Sequence, residues 1–278
     1  MALKVTAHRF ADSYFRVTPE FRGVPRADIL QRNEPICGLS VAIKVHPETS
    51  MSRWVQKLQN TMTDPNGMNL PLHVSNPDNM HTSFVNTVLI RGAVGESMQY
   101  IPSRLLSGQY NPLCLFQILR SASGSLNDGW KEVVPLREQK ALFKKFTETL
   151  RDEPFYDLFR TPRTLEFDSI LVGESGVQLC AKFDSHLDEI QTIVENALRY
   201  VDPRFDFPIA HPRPLHTTLF RYAEGFNYPH YLRLNGELYQ FAKQNGPFSL
   251  EMSLDTLRIG WWRRFAMPWY KMVKLTEE

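Results

Sequence analysis

Two short stretches hold residue types that move protons near neutral pH. One is His216-Thr217-Thr218-Leu219, inside the longer run Pro212 to Tyr222; the other is His81-Thr82-Ser83-Phe84. In a strand, side chains alternate faces, so His216 and Thr218 point one way and Thr217 the other. The imidazole then stands beside a hydroxyl, about 7 Å along one face. The same parity pairs His81 with Ser83. An imidazole can take or give a proton, and a hydroxyl can donate to an anionic oxygen. A single His-x-Thr-Leu is a short pattern that packed or solvated histidines match by chance; the second copy makes it a signal. By the same parity Tyr222 shares the face of His216, where its ring is expected either to stack on a base or to pack.

The elements that must position these residues repeat. In the first unit a strand over Cys37 to Val45 precedes a helix over Pro47 to Thr63, with Met51, Trp54, Val55, Leu58 and Met62 at helical spacing. Asp64-Pro65-Asn66-Gly67 breaks it, and a loop with Pro71 and Pro77 leads to a strand over Met80 to Ile90. In the second unit, strands over Thr164 to Val172 and Val177 to Phe183 flank a turn at Gly173 to Gly176. A helix capped by Asp184 or Ser185 follows, with Leu187, Ile190, Val194, Ala197, Leu198 and Val201 on its apolar face. Asp202-Pro203 ends it, and a proline-rich loop leads to the second motif. From Gly38 to His81 is 43 residues and from Gly176 to His216 is 40. Equal order and near-equal length predict a duplicated unit, with the two motif strands facing each other across a cleft about a pseudo-twofold axis.

The rest of the chain frames these units. Residues 1–35 read as an N-terminal extension packed on the surface, and 36–278 as one bilobal domain. Its parts are a first motif lobe over about 36–90, a helical middle segment over 91–163, and a second lobe with a final hairpin over 164–278. The middle segment holds a helix over Leu136 to Arg151, with Leu142, Phe143, Phe146 and Leu150 in one stripe. A further helix spans Pro229 to Lys243. Strands over Phe248 to Ile259 and Trp269 to Leu275 are joined by a turn holding Trp261-Trp262-Arg263-Arg264, which either clamps a nucleotide or packs on the middle segment. His73, His186, His211 and His230 fall in loops or beside helix starts and read as surface or capping residues.

Composition narrows the function classes. The chain has 278 residues, 42% of them hydrophobic, and a net charge of +2. No apolar run reaches membrane-span length and the N-terminus lacks a secretory pattern, so a cytoplasmic protein is expected, without a membrane partner. The near-neutral charge argues against duplex DNA but allows a nucleotide or a short RNA. Cys37, Cys114 and Cys180 lie far apart, which argues against a disulfide framework or zinc site and for buried hydrophobes. No metal-ligand spacing appears, so neither metal nor cofactor is expected. A monomer is expected.

The paired His-x-Ser/Thr-hydrophobic motifs, each ending a strand-helix-strand unit and followed by a final hairpin, resemble the two-histidine phosphoesterase superfamily, which includes the LigT-like cyclic phosphodiesterases. The resemblance covers roughly residues 36–276 in layout and is specific in the two tetrapeptides. It implies an α+β, bilobal fold of two pseudo-twofold-related antiparallel sheets, with outer helices around a central cleft. It also implies metal-independent phosphodiester chemistry, with His81 and His216 as the catalytic pair and Ser83 and Thr218 as the phosphate-binding hydroxyls. Ser83 stands where threonine is commoner in the family, and the middle segment is longer than in its compact members.

The residue types suit that chemistry. In-line displacement at phosphorus needs a base for the nucleophile and an acid for the leaving oxygen on opposite sides, and two histidines within about 10 Å of each other meet the requirement. Hydroxyls can donate to the non-bridging oxygens, where charge accumulates. The sequence leaves open which histidine is acid and which is base. It also leaves open whether the substrate is an RNA end, a cyclic nucleotide, an ADP-ribose derivative or a 2′,5′-oligoadenylate. A catalytically silent nucleotide- or RNA-binding module on the same fold is the alternative, and coincidental motifs in an unrelated α+β protein are a third reading.

Overall fold

A computed structural model describes residues 2–7, 12, 15–16, 37–74, 80–89, 136–151, 153–173, 176–182, 186–201, 215–262 and 269–274. Its strands are β1 (Lys4–Ala7), β2 (Cys37–Lys44), β3 (Leu72–Val74), β4 (His81–Leu89), β5 (Arg163–Val172), β6 (Gly176–Ala181), β7 (His216–Tyr222), β8 (Phe248–Met252), β9 (Leu257–Trp262) and β10 (Trp269–Val273). Its helices are α1 (Ser50–Thr63), α2 (Leu136–Leu150), α3 (Glu153–Arg160), α4 (His186–Val201) and α5 (Tyr228–Lys243). The fold is mixed α/β, consistent with an α+β class.

The described strands form one sheet, not the two separate sheets expected. The order is β1-β5-β6-β7-β4-β2-β9-β10, with β3 added to β7 and β8 to β5. Every ladder is antiparallel except β1–β5, which is parallel. The reason the halves merge is local. At the centre β4 meets β7 through a single register pair, Thr82↔Thr217, which bridges what are otherwise two half-sheets.

One face of this sheet is apolar and carries the helices. Val41, Ile43, Phe84, Leu179, Leu219 and Phe220 are fully buried on it. The helix over Ser50–Thr63 buries Met51, Trp54, Val55, Leu58 and Met62, as their spacing requires. Its start is fixed by Thr49, whose hydroxyl accepts from the Ser52 backbone N–H at 3.1 Å, so it begins later than Pro47. The α4 helix likewise buries Leu187, Ile190, Val194, Ala197, Leu198 and Val201.

Several expectations need correction. The single strand expected over Phe248 to Ile259 is two, because Thr256 closes a turn between them, its hydroxyl accepting from the Ser253 N–H at 2.9 Å. Trp261 and Trp262 belong to β9 and pair with β10, so the tryptophans are not in a turn; Arg263 and Arg264 lie outside the described residues. The N-terminal stretch does more than lie on the surface. Its β1 strand completes the sheet edge, and Phe15 is buried against Tyr222, Phe226 and Tyr231, with ring centroids 4.9 to 5.4 Å away. The short β3 strand and the α3 helix are elements that periodicity did not mark. His211, Cys114 and all of 91–135 fall outside the described residues. Among the described residues no helix is long and apolar enough to cross a membrane, and no group of His, Cys, Asp or Glu could hold a metal ion.

Candidate functional site

The central junction decides which side chains meet. Thr82 and Thr217 are register partners, so both point to the same face, the helix side. They are buried there, and their hydroxyls share a hydrogen bond of 2.7 Å. Their neighbours along each strand therefore point to the other face. His81 and Ser83 on β4 and His216 and Thr218 on β7 form one group on that polar face. One step from the central pair, antiparallel pairing sets His81 toward Thr218 and Ser83 toward His216. Diagonal neighbours in such a pair stand about 7–8 Å apart, which is the relation of His81 to His216. His81, His216 and Thr218 are half-buried, while Ser83 is 6% exposed.

Both motif strands carry a β-bulge at the same place. Ala42 pairs with Ser83 and Val41 with Val85, so Phe84 is the extra residue on β4. Gln178 pairs with Thr218 and Val177 with Phe220, so Leu219 is the extra residue on β7. A bulge leaves its backbone groups out of the ladder, and here each freed carbonyl is taken by a buried glutamine from the opposite half. Gln191 of α4 donates to the Phe84 carbonyl at 3.0 Å, and Gln59 of α1 donates to the Leu219 carbonyl at 2.9 Å. The helix that precedes each motif in the chain thus braces the bulge of the other motif strand.

The bulge also resets parity on β7. Beyond Leu219 the faces exchange, so Arg221 joins His216 and Thr218 on the polar face, and Tyr222 turns to the core. Tyr222 is 2% exposed; it stacks on Phe226 with centroids 4.2 Å apart and donates its hydroxyl to the Gly173 carbonyl at 2.9 Å. Burial pushes its phenol well above the usual range. Of the two expectations for Tyr222, packing is the one the structure shows; base stacking assumed the face of His216, and that parity count ran through a bulge.

Arg221 stands where sequence reasoning placed no functional residue. Its Nη2 donates to the Thr218 hydroxyl oxygen at 3.2 Å. That leaves the Thr218 proton free to be directed away from the guanidinium. Burial pulls the Arg221 guanidinium down to about 10, so it stays charged at neutral pH. His73 of β3 is its register partner and shares its face, so it belongs to a strand beside the site and not to a loop. Gln178 of β6 lies on the same face, with its amide Nε2 3.0 Å from His216 Nε2. Lys44 of β2 is the register partner of His81. Two further described histidines sit at helix starts. His186 opens α4, and His230 sits in the capping box of α5, its Nδ1 accepting from the Asn227 N–H at 3.3 Å. Cys180, the register partner of His216, is a buried thiol pushed up to about 12 by burial, so it is not a nucleophile at neutral pH.

The arrangement offers two imidazoles for proton transfer, two hydroxyls, and a charged guanidinium beside one of them. Such a set can bind an anion and pass protons on two sides of it.

No family model matches the chain, and no curated protein matches it. A solved structure similar to it is that of a conserved protein of unknown function from Agrobacterium tumefaciens str. C58. The two share 12% identity over 87% of this chain and 86% of that one, with a TM-score of 0.43.

Proposed function

We propose that the protein is a metal-independent phosphodiesterase of the two-histidine type, with the LigT-like bilobal arrangement about the Thr82–Thr217 junction. The observation that carries this reading is the convergence of His81, Ser83, His216 and Thr218 on one sheet face, across a junction that is nearly symmetric in register and in its bulges. The substrate class is a cyclic or 2′-linked phosphodiester of a nucleotide or of an RNA end.

The chemistry follows from the placement. One imidazole takes the proton of the attacking water as the water oxygen bonds to phosphorus. The other gives its proton to the leaving oxygen as the opposite P–O bond breaks. One ring ends protonated and the other neutral, and exchange with solvent resets them. Negative charge on the non-bridging oxygens is met by the Ser83 and Thr218 hydroxyls and by the Arg221 guanidinium. The Arg221 contact to Thr218 orders that hydroxyl so that its proton points to the phosphate.

A panel of 2′,3′-cyclic nucleotides, an RNA ending in a cyclic phosphate, ADP-ribose 1″,2″-cyclic phosphate and 2′,5′-oligoadenylate, assayed with EDTA present, tests this. The expected result is product from at least one compound at an unchanged rate in chelator. No product from any compound, with binding retained, leaves the silent binding module. Turnover lost in EDTA and restored by one divalent ion overturns the mechanism.

A further inference from the structure

The two halves of the junction differ at one position where their shared register makes them comparable. Ala42 on β2 is the partner of Ser83, and Gln178 on β6 is the partner of Thr218. An apolar methyl and a carboxamide thus occupy equivalent places beside the two motifs. Only the carboxamide can reach an imidazole with a hydrogen bond, and it does so, with Gln178 Nε2 3.0 Å from His216 Nε2.

With Gln178 presenting its nitrogen and not its oxygen to the ring, the direction of that bond follows from chemistry. A carboxamide nitrogen donates and has no lone pair to offer. His216 Nε2 is therefore the acceptor, and the proton of the neutral ring sits on Nδ1. An imidazolium would set its own Nε2–H against the amide N–H, so the contact favours the proton-accepting form of the ring. We propose that Gln178 is a positioning residue that holds His216 as the Nδ1–H tautomer, with the Nε2 lone pair directed into the polar face, and so makes His216 the general base and His81 the general acid in cleavage. The assignment of roles rests on the phosphodiesterase reading; the tautomer does not. In the reaction the O–H of the attacking water takes the place of the amide N–H at the same lone pair. That water oxygen bonds to phosphorus, its proton passes to His216 Nε2, and the proton of His81 leaves with the departing oxygen.

Long-range ¹H–¹⁵N correlation of the histidine rings, on the ligand-free full chain at a pH where the rings are neutral, reads the tautomer directly. The wild type is expected to show His216 protonated at Nδ1. Gln178→Glu offers only acceptors and is expected to move the proton to Nε2. Gln178→Leu, similar in volume and without a donor, is expected to lose the Nδ1–H preference, with the His81 signals unmoved in both. His216 protonated at Nε2 in the wild type, or an identical pattern in all three proteins, overturns the proposal. If one variant fails to fold, the other, compared with the wild type, decides. On a cleaved phosphodiester, Gln178→Leu is expected to lose kcat with KM held, a split that a purely structural loss would not give. A wild type without turnover but with the Nδ1–H tautomer removes the phosphodiesterase reading and leaves the positioning role standing.

Discussion

At the scale of single residues, the histidine pair rests on a buried pair of hydroxyls. Thr82 and Thr217 are nearly inaccessible and bond to each other at 2.7 Å. Removing one hydroxyl leaves the other buried without that partner, whereas removing both leaves two apolar groups of the same shape. Thr82→Val and Thr217→Val are each expected to lower stability by about 1–3 kcal/mol, and the double variant by clearly less than their sum. Urea unfolding of the four proteins measures this, and silent single variants would show that the pair contributes nothing. The histidines, Ser83 and Thr218 were legible because residue type and strand parity suffice to put them on one face. Arg221 was not, and Tyr222 was misplaced, because both lie beyond the bulge. A trace of the bulge is in the sequence: Leu219-Phe220 puts two adjacent apolar residues into an alternating strand, as Phe84-Val85 does in the first motif.

At the scale of elements, long periodic helices and apolar strands were readable, and short ones were not. The apolar stripes of α1 and α4 each bury one face, so their spacing marked them. By contrast, α5 buries Tyr231, Leu234, Leu238 and Ala242 and leaves Leu232 and Tyr239 exposed, so its helix was readable but a stripe through Leu232 and Tyr239 was not its buried face. The three residues of β3 have no periodicity of their own and become a strand only by pairing with β7. The β8–β9 division depends on Thr256 hydrogen bonds, which alternation does not encode. Nor does alternation reveal that Gln59 and Gln191 reach across to the opposite motif, since that needs the tertiary fold. One element carries a pH dependence. At the start of α5, His230 Nδ1 accepts from the Asn227 N–H, and partial burial lowers the ring below its usual 6.5. The unfolded chain therefore binds this proton more readily than the folded one. Stability from this group is present above about 6.5, the unfolded value, and declines as pH falls below it toward the lowered folded value. Thermal melts across that window are expected to show a decline that His230→Gln reduces, because glutamine can fill the capping box without titrating. An equal decline in the variant would assign it to other groups.

At the scale of the whole molecule, the order of strand, helix and motif strand was legible in both halves of the chain. The merging of two half-sheets through one residue pair was not, because it depends on how the units dock and not on either alone. That docking sets the two motifs antiparallel, places four polar side chains on one face, and crosses the supporting glutamines between halves. The central claim is that His81 and His216 act together on one phosphate. The most direct measurement is turnover of His81→Ala, His216→Ala and the double variant on a phosphodiester that the wild type cleaves, with thermal melting as the folding control. Each single variant is expected to lose on the order of 10²-fold or more in kcat, and the double variant little beyond the worse single. All three should melt near the wild type, since neither ring is in the apolar core. A single variant that melts like the wild type and keeps nearly full turnover would contradict the two-histidine mechanism.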